Sequence, residues 1–176
     1  MDSQAITLGG GCFWCTEAVF EIVDGVLAVE SGYSNGHVEN PTYEQVCTGT
    51  TGHAEVIKVT FDADRISLRE ILAVFFAIHD PTTLNRQCND SGTQYRSGIY
   101  LHDPSQEAVV REVVAEANEA LKGRVVTEVQ PLANYSKAEA YHQHYFANHP
   151  NAGYCSFVVA PKVEKFKRVF KERVKA

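Results

Sequence analysis

Apolar and polar residues follow two periods along the chain, one typical of strands and one typical of helices. Residues 54–61 alternate with period two, which predicts a strand, and the apolar segments at 5–8, 26–33 and 124–130 predict three more. The apolar run 71–78 follows Ser67-Leu-Arg-Glu70, a capping box, and this combination predicts a buried helix. Strands alternate with helices, which indicates an α/β or α+β fold.

Further helices are predicted in three places. Asp103-Pro104 begins one that runs to about residue 121, and the second capping box, Ser136 to Glu139, predicts a short helix through about residue 146. At the C-terminus, Val163, Phe166, Phe170 and Val174 share one stripe of a predicted helix at about 162–174. Residues 34–52 are rich in Gly, Asn, Pro and Thr and predict a long irregular segment of the kind that usually carries function.

Composition narrows the class of protein. The 176 residues suit one domain over 1–176, and the net charge of −6 argues against binding to nucleic acid. The basic residues of the C-terminal helix are interpreted as its solvent-exposed face, without a binding role. No apolar run approaches the ~20 residues of a membrane span, and no export signal is recognised. The five cysteines are therefore expected as thiols in the cytoplasm.

The segment Gly9-Gly-Gly-Cys12-Phe-Trp-Cys15 lies at a predicted strand-to-helix turn. A cysteine at the start of a helix faces unpaired backbone N–H groups, so we expect Cys12 to be a thiolate nucleophile with a lowered pKa. The alternative is that Cys12 is a buried structural cysteine with no catalytic role. The C-x-x-C spacing also fits a thioredoxin-like oxidoreductase. A zinc site would need four ligands at compatible spacing, and the chain has no second C-x-x-C.

Glu55 shares a strand face with Ile57, Val59 and Phe61. If this face is buried, desolvation raises the pKa of the carboxyl and makes Glu55 an acid; otherwise it is a strand-end residue in contact with solvent. Tyr43 and Tyr95 lie in polar, turn-like segments. With Cys12 and Glu55 they form a set of one nucleophile, one acid and two hydroxyl donors.

The sequence resembles the A class of the peptide methionine sulfoxide reductases. Six motifs carry the resemblance, in family order between residue 6 and about residue 155: Gly10-Gly-Cys-Phe-Trp14, Gly32-Tyr-Ser34, Asn40-Pro-Thr-Tyr43, Gly52-His-Ala-Glu55, Gly92-Thr-Gln-Tyr-Arg-Ser97 and Tyr141-His-Gln-His-Tyr145. The resemblance implies an α+β fold, a single two-layer domain with a βαβ ferredoxin-like core and long irregular loops. It also implies thiol-dependent reduction of methionine S-sulfoxide, free or in proteins, and hence repair of oxidised proteins.

The resemblance implies a role for each site residue. Cys12 attacks the sulfoxide sulfur, Glu55 protonates its oxygen, and Tyr43 and Tyr95 donate hydrogen bonds to that oxygen. Asp90 orients this network. Phe13 and Trp14 form the apolar wall that holds the methyl group of the substrate. The product is a sulfenic acid on Cys12.

The resemblance implies a recycling cysteine at the position of Cys155, in Gly153-Tyr-Cys155, so we expect Cys155 as first resolver and Cys15 to relay the disulfide afterwards. The family often has a small residue at the positions of Cys15 and Cys88, so the route of recycling stays open, and with it any role of Cys88. Cys47 is expected as a packed small side chain in a helical turn. Family resemblance alone names thioredoxin as the reductant and implies no metal and no organic cofactor, and the protein is expected as a monomer. A non-enzymatic redox sensor built on the same thiol remains an alternative.

Overall fold

The computed structural model describes residues 2–87, 90–149 and 151–175, and the side chains of Cys155 and Ser156 lie outside the described part. The expectation for Cys88 therefore falls outside the described residues. In this part of the chain no helix is both long and apolar enough to cross a membrane.

A six-stranded sheet forms the centre of the fold, and a two-stranded sheet lies beside it. The large sheet contains β1 (Ser3–Gly10), β2 (Val26–Ser34), β3 (Ala54–Asp62), β6 (Ser97–Leu101), β7 (Glu128–Pro131) and β8 (Ser136–Lys137), in the order β7-β6-β1-β3-β2-β8. The small sheet pairs β4 (Arg86–Gln87) with β5 (Asp90–Ser91). Among the strands that the structure describes, β6 and β7 pair in parallel and the other pairs are antiparallel.

Within the described residues, six α-helices accompany the strands: α1 (Phe13–Phe20), α2 (Tyr43–Cys47), α3 (Leu68–Ile78), α4 (Glu107–Ala120), α5 (Tyr145–Asn148) and α6 (Ala160–Val169). A π-helical turn, Cys155–Val159, leads directly into α6. The first capping box is confirmed, because the Ser67 side chain accepts the Glu70 N–H and the Glu70 side chain accepts the Ser67 N–H at the start of α3.

The predicted ferredoxin-like core is confirmed by the strand order. The chain runs β1-α1-β2-β3-α3-β6, and both β1 and β2 pair antiparallel with β3, which lies between them. The two strands are therefore parallel to one another, and α1 is the crossover helix of a split βαβ unit. Fully buried apolar side chains from β1, β3, α1 and α3 form one continuous core between sheet and helices, including Ile6, Leu8, Ile57, Val59, Phe61, Phe20 and Phe75.

The second capping box prediction is wrong. Ser136 and Lys137 are not the start of a helix but the short strand β8, in which Ser136 pairs with Tyr33 and Lys137 with Gly32 at the edge of β2. An isolated 3₁₀ turn, Ala140–His142, follows before α5 begins. The edge of β2 needs hydrogen-bond partners, and this demand outweighs the local preference of the capping residues.

Two predicted boundaries also change. The strand expected at 124–130 is shorter and lies at Glu128–Pro131. The C-terminal helix ends at Val169 rather than about residue 174, and a 3₁₀ turn, Lys171–Arg173, follows it. Val163 and Phe166 are buried as the stripe predicts.

Candidate active site

Cys12 lies where β1 turns into α1, at the N-cap of that helix. Gly11 adopts φ +91°, in the left-handed region, and a Cβ at this position would lie 2.7 Å from Cγ of Gln87. Both constraints require glycine. The strand-to-helix turn therefore places Cys12 at the end of the central strand, directly after a glycine that packs against the Gln87 side chain.

Glu55 is buried, with about 1% of its surface exposed, at the position of β3 that pairs with Tyr33. Its Oε1 accepts a hydrogen bond of 3.2 Å from the backbone N–H of Phe13, in the first turn of α1, while its Oε2 is buried with no partner among the described residues. Burial raises the pKa of Glu55 to about 8, and the charges of Asp90 and Cys15 add to this effect. The carboxyl is thus a neutral acid near pH 7, as the buried-face interpretation predicts.

The pKa values of Cys12 and Cys15 are shifted in opposite directions, and the shift of Cys12 is opposite to the predicted one. Burial raises the pKa of Cys12 well above its ordinary value, with further contributions from Cys15 and the Glu55 carboxylate. The prediction of a lowered pKa at Cys12 is wrong for the protein without substrate, because desolvation outweighs the N-terminus of α1. The hydrogen bond with Cys12 lowers the pKa of Cys15 instead, to about 7, with smaller contributions from Lys162 and Tyr154.

The two predicted hydroxyl donors lie beside the acid. Burial raises the pKa of both Tyr43 and Tyr95, and the charge of Glu55 raises each of them further, so both phenols are protonated and within the field of that carboxylate. Asp90 accepts a 2.8 Å hydrogen bond from the Tyr154 hydroxyl, which also lies 3.8 Å from the Cys15 sulfur. The structure therefore brings Cys12, Cys15, Glu55, Tyr43, Tyr95 and Asp90 to one end of the sheet.

An aromatic cluster surrounds the turn. Phe13 is fully buried, whereas Trp14 is partly exposed, so the indole is the member of this pair that a bound molecule reaches. The Trp14 ring stacks on Tyr145 with centroids 3.9 Å apart and meets the edge of Tyr154 at 5.7 Å. Phe13 packs behind it, 5.7 Å from Tyr33 and 6.4 Å from Tyr43.

Sequence reasoning assigns no role to three residues that hold this arrangement. Tyr154 joins Asp90 to Cys15, and His142 accepts a 3.1 Å hydrogen bond from the Trp14 indole N–H. Glu139 accepts hydrogen bonds from the Tyr33 hydroxyl and from the Tyr43 backbone N–H. His142 lies in the motif Tyr141–Tyr145 that carries the resemblance, and Tyr154 directly precedes the predicted recycling residue Cys155; these positions are the signal that points to them. The sequence pattern around Glu139 indicates only a capping box.

For Cys155 the structure describes the backbone alone, whereas for Cys47 it also describes the side chain. The π-helical turn that begins at Cys155 packs against α1, which brings its backbone to the helix that carries Cys12 and Cys15. Cys47 ends α2 as predicted, but it is exposed, so the prediction of a packed side chain is wrong.

One cluster of potential metal ligands occurs among residues 2–87, 90–149 and 151–175, formed by Glu17, Glu21 and His144. Both carboxyl oxygens of Glu17 already accept hydrogen bonds, from the Ser31 hydroxyl and the Tyr145 N–H. The cluster includes none of the residues predicted for catalysis.

Comparisons with known proteins agree with this geometry. The family model of the peptide methionine sulfoxide reductases matches residues 4–174. A peptide methionine sulfoxide reductase MsrA of Saccharolobus solfataricus is 54% identical over 172 residues, which cover 98% of this chain and 97% of that protein.

Solved structures give the same result. Mxr1 from Saccharomyces cerevisiae in reduced form is 36% identical with a TM-score of 0.83, over 87% of this chain and 89% of that one. Mxr1 in complex with Trx2 is 28% identical with a TM-score of 0.59, over 81% and 84%. The chain therefore belongs to the A class of the peptide methionine sulfoxide reductase family and is a peptide-methionine (S)-S-oxide reductase.

Proposed function

We propose that this chain repairs oxidised proteins by reducing methionine S-sulfoxide, free or in a polypeptide, through a sulfenic acid on Cys12. Residues 1–176 act as one reductase domain. One observation carries the mechanism: a buried, protonated Glu55 holds the start of α1 with one oxygen and leaves its other oxygen without a partner, among the described residues, beside Cys12.

The reaction needs two protons to release the sulfoxide oxygen as water. With the pKa of both groups raised, the free site carries one proton on the Cys12 thiol and one on Glu55. The Cys12 sulfur attacks the positive sulfoxide sulfur, and both protons pass to the oxygen, which leaves as water. Water then adds to Cys12 and displaces methionine, so one proton returns to the site and Cys12 is oxidised to the sulfenic acid.

Tyr43 and Tyr95 donate hydrogen bonds to the oxygen as negative charge develops on it. Their raised pKa values support this role, because a donor must keep its proton throughout the step. Asp90, whose charge acts on Tyr95 and which accepts the Tyr154 hydroxyl, orients this network. Trp14, with Phe13 behind it, forms the apolar wall for the methyl group.

A second thiol clears the sulfenic acid. Cys155 attacks it first, which releases water and forms the Cys12–Cys155 disulfide, and Cys15 then exchanges into this bond. Contact of the π-helical turn with α1 supports the first step, and the lowered pKa of Cys15 supports the second, since a thiolate is the attacking species. Thioredoxin reduces the final disulfide by dithiol exchange; the solved complex of Mxr1 with Trx2 supports this partner. We place the enzyme in the cytoplasm, as a monomer.

A steady-state assay tests the proposal. Purified protein with a dithiol reductant is given resolved S and R methionine sulfoxides, and we expect turnover of the S epimer only. Cys12→Ser abolishes turnover because a hydroxyl is a far weaker nucleophile than a thiol. Cys47→Ser is the matched control: the exposed Cys47 side chain hydrogen-bonds Tyr43, and a serine hydroxyl keeps that contact, so we expect turnover to continue.

Other outcomes separate the alternatives. A redox sensor would be oxidised once and would consume no further sulfoxide. A general disulfide oxidoreductase would reduce protein disulfides and leave methionine sulfoxide unchanged. Catalytic consumption of S-sulfoxide by Cys12→Ser would overturn the assignment of the nucleophile.

A further inference from the structure

A segment behind the site, residues 139–145, is held against β2 by Gln143. The Gln143 side chain accepts the Ser31 N–H and donates to the Ser31 carbonyl, each at 2.9 Å. We call residues 139–145 the supporting segment. Its anchorage fixes the position of His142, whose ring is about 1% exposed.

His142 packs among the aromatic side chains of the site. Its ring centroid lies 4.3 Å from that of Tyr43 and 5.2 Å from that of Phe13. The Trp14 indole N–H donates to His142 Nδ1 at 3.1 Å. An indole N–H only donates, so Nδ1 must carry no proton, and neutral His142 has its proton on Nε2. In the described part of the chain, Nε2 is buried without a partner.

The indole of Trp14 is held on three sides. Tyr145 covers one face, Tyr154 meets it edge-on, and His142 accepts its N–H. The two ring contacts hold the indole by packing alone, without a hydrogen bond to its N–H. The hydrogen bond to His142 is the directional contact that sets how the indole faces the reactive turn.

We propose that His142 is a positioning residue, which fixes the Trp14 wall of the substrate site while it is neutral and releases the wall when Nδ1 is protonated. The proposal rests on the proposed function, in which Trp14 contacts the methyl group of the sulfoxide. A proton on Nδ1 would set one donor against another and remove the acceptor that the indole N–H has in the described part of the chain.

The charges around His142 set the pH at which its protonation releases the Trp14 indole. Burial lowers the pKa of the imidazole, and the carboxylates of Glu139, on its own segment, and Glu44, on α2, oppose that shift. Tyr43 and Tyr141, which also pack on the ring, keep their protons since their pKa values are raised. On α1, the residues against the ring are Phe13 and Trp14, and neither titrates. His142 is thus neutral near pH 7, and the wall is released only on the acid side of the ordinary pKa of histidine.

Two variants of nearly equal size test the positioning role. His142→Asn keeps an acceptor close to the place of Nδ1, whereas His142→Leu removes it. The readout is the single-turnover rate of Cys12 oxidation against concentration of S-sulfoxide at pH 7.5. We expect the half-saturating concentration to rise about 3- to 10-fold in His142→Leu, the range that follows from losing one hydrogen bond, and less than 3-fold in His142→Asn. Thermal unfolding of both variants checks that each is folded.

Trp14 is the only tryptophan of the chain, so its fluorescence reports on the contact without any turnover. Between pH 7.5 and 4.5, we expect the emission of the parent to change with a midpoint below 6.5 and that of His142→Asn, which does not titrate, to stay constant.

The outcomes separate this proposal from the proposed function. Superimposable pH curves for parent and His142→Asn, or equal half-saturation for the Leu and Asn variants, overturn the role of His142 even when the parent has full reductase activity. A parent that consumes no sulfoxide overturns the proposed function and the substrate-wall part of this proposal with it. In that case the fluorescence curves still show whether His142 holds the indole.

Discussion

Glu55 uses its two carboxyl oxygens differently. One accepts the Phe13 N–H and so helps to hold the first turn of α1, while the other has no partner among the described residues. A buried polar atom without a partner costs free energy, typically about 1–3 kcal/mol, and is expected where a bound molecule completes the hydrogen bond. This residue therefore couples the position of Cys12 to the proton that the reaction consumes.

Glu55→Gln removes the proton and keeps the shape. We expect the single-turnover rate of Cys12 oxidation by S-sulfoxide to fall about 100- to 10,000-fold, because the oxygen then leaves without its acid. Glu30→Gln, on the neighbouring strand β2, is the control, since that carboxylate pairs with Tyr135 and Lys137 instead. If the Glu55→Gln rate stays within a few-fold of the parent, Glu55 is not the acid.

The same residue gives a pH dependence with a definite sign. With a pKa of about 8, Glu55 is protonated below this pH and loses its proton above it. The single-turnover rate in the parent should therefore be constant from pH 6.5 to 7.5 and fall above pH 8. The residual rate of Glu55→Gln lacks that fall. A parental rate that keeps rising through pH 9 would show instead that formation of the Cys12 thiolate, whose pKa is also raised, limits the step.

At the scale of an element, the junction between β1 and α1 depends on Gly11. Gly11→Ala would place a side chain at φ +91° and within 2.7 Å of Gln87. Gly123→Ala is a matched control, because Gly123 has φ +77° and a Cβ added there would meet open space, with nothing within 4 Å among the described residues. Each substitution carries the backbone penalty of about 1–2 kcal/mol, but only the first also displaces the reactive turn.

We therefore expect both alanine variants to lose stability in urea denaturation, Gly11→Ala the more so, and only Gly11→Ala to lose more than 10-fold in the single-turnover rate. Equal rates for the two variants would mean that the contact with Gln87 does not position Cys12.

The two capping-box sequences show how far a local pattern predicts a helix. Ser67 to Glu70 begins α3 as predicted, since the apolar run that follows it is buried in the core. Ser136 to Glu139 has the same signal but lies opposite the open edge of β2, and its residues pair with that strand instead. Glu139 then receives hydrogen bonds from Tyr33 and Tyr43. Local pattern predicts the elements of the core well; it does not reveal the long-range partner that redirects an edge segment.

In the candidate active site, too, local sequence pattern does not predict what depends on tertiary packing. Alternation along β3 places Glu55 on the apolar face but leaves open whether that face is buried at this position; the structure shows that it is. The pKa of Cys12 depends on how deeply the turn is enclosed and on the charges of Cys15 and Glu55, which come from tertiary packing. Position at a helix N-terminus predicts the opposite direction.

At the scale of the whole molecule, the proposed recycling would connect the first helix with the last third of the chain. Peptide mapping after one equivalent of S-sulfoxide, without reductant, should give the Cys12–Cys155 disulfide early and a disulfide of Cys15 later. Cys155→Ser should slow disulfide formation, whereas Cys15→Ser should leave the first disulfide intact. Parental rates in Cys155→Ser with a Cys12–Cys15 map would make Cys15 the first resolver.

The first and last described residues, Asp2 and Lys175, lie at the end of the sheet away from the reactive turn. The Asp2 carbonyl accepts the Ala63 N–H, while Arg173 and Lys175 form backbone hydrogen bonds with Asp24 and Ile22. The carbonyl of Gly25, next in the chain, accepts the Asp62 N–H, so the two ends are neighbours. Eight residues of β1, roughly 25 Å, separate them from the reactive turn. A short linker between Asp2 and Lys175 can therefore close the described residues into a circular permutant, and that linker would lie far from the reactive turn.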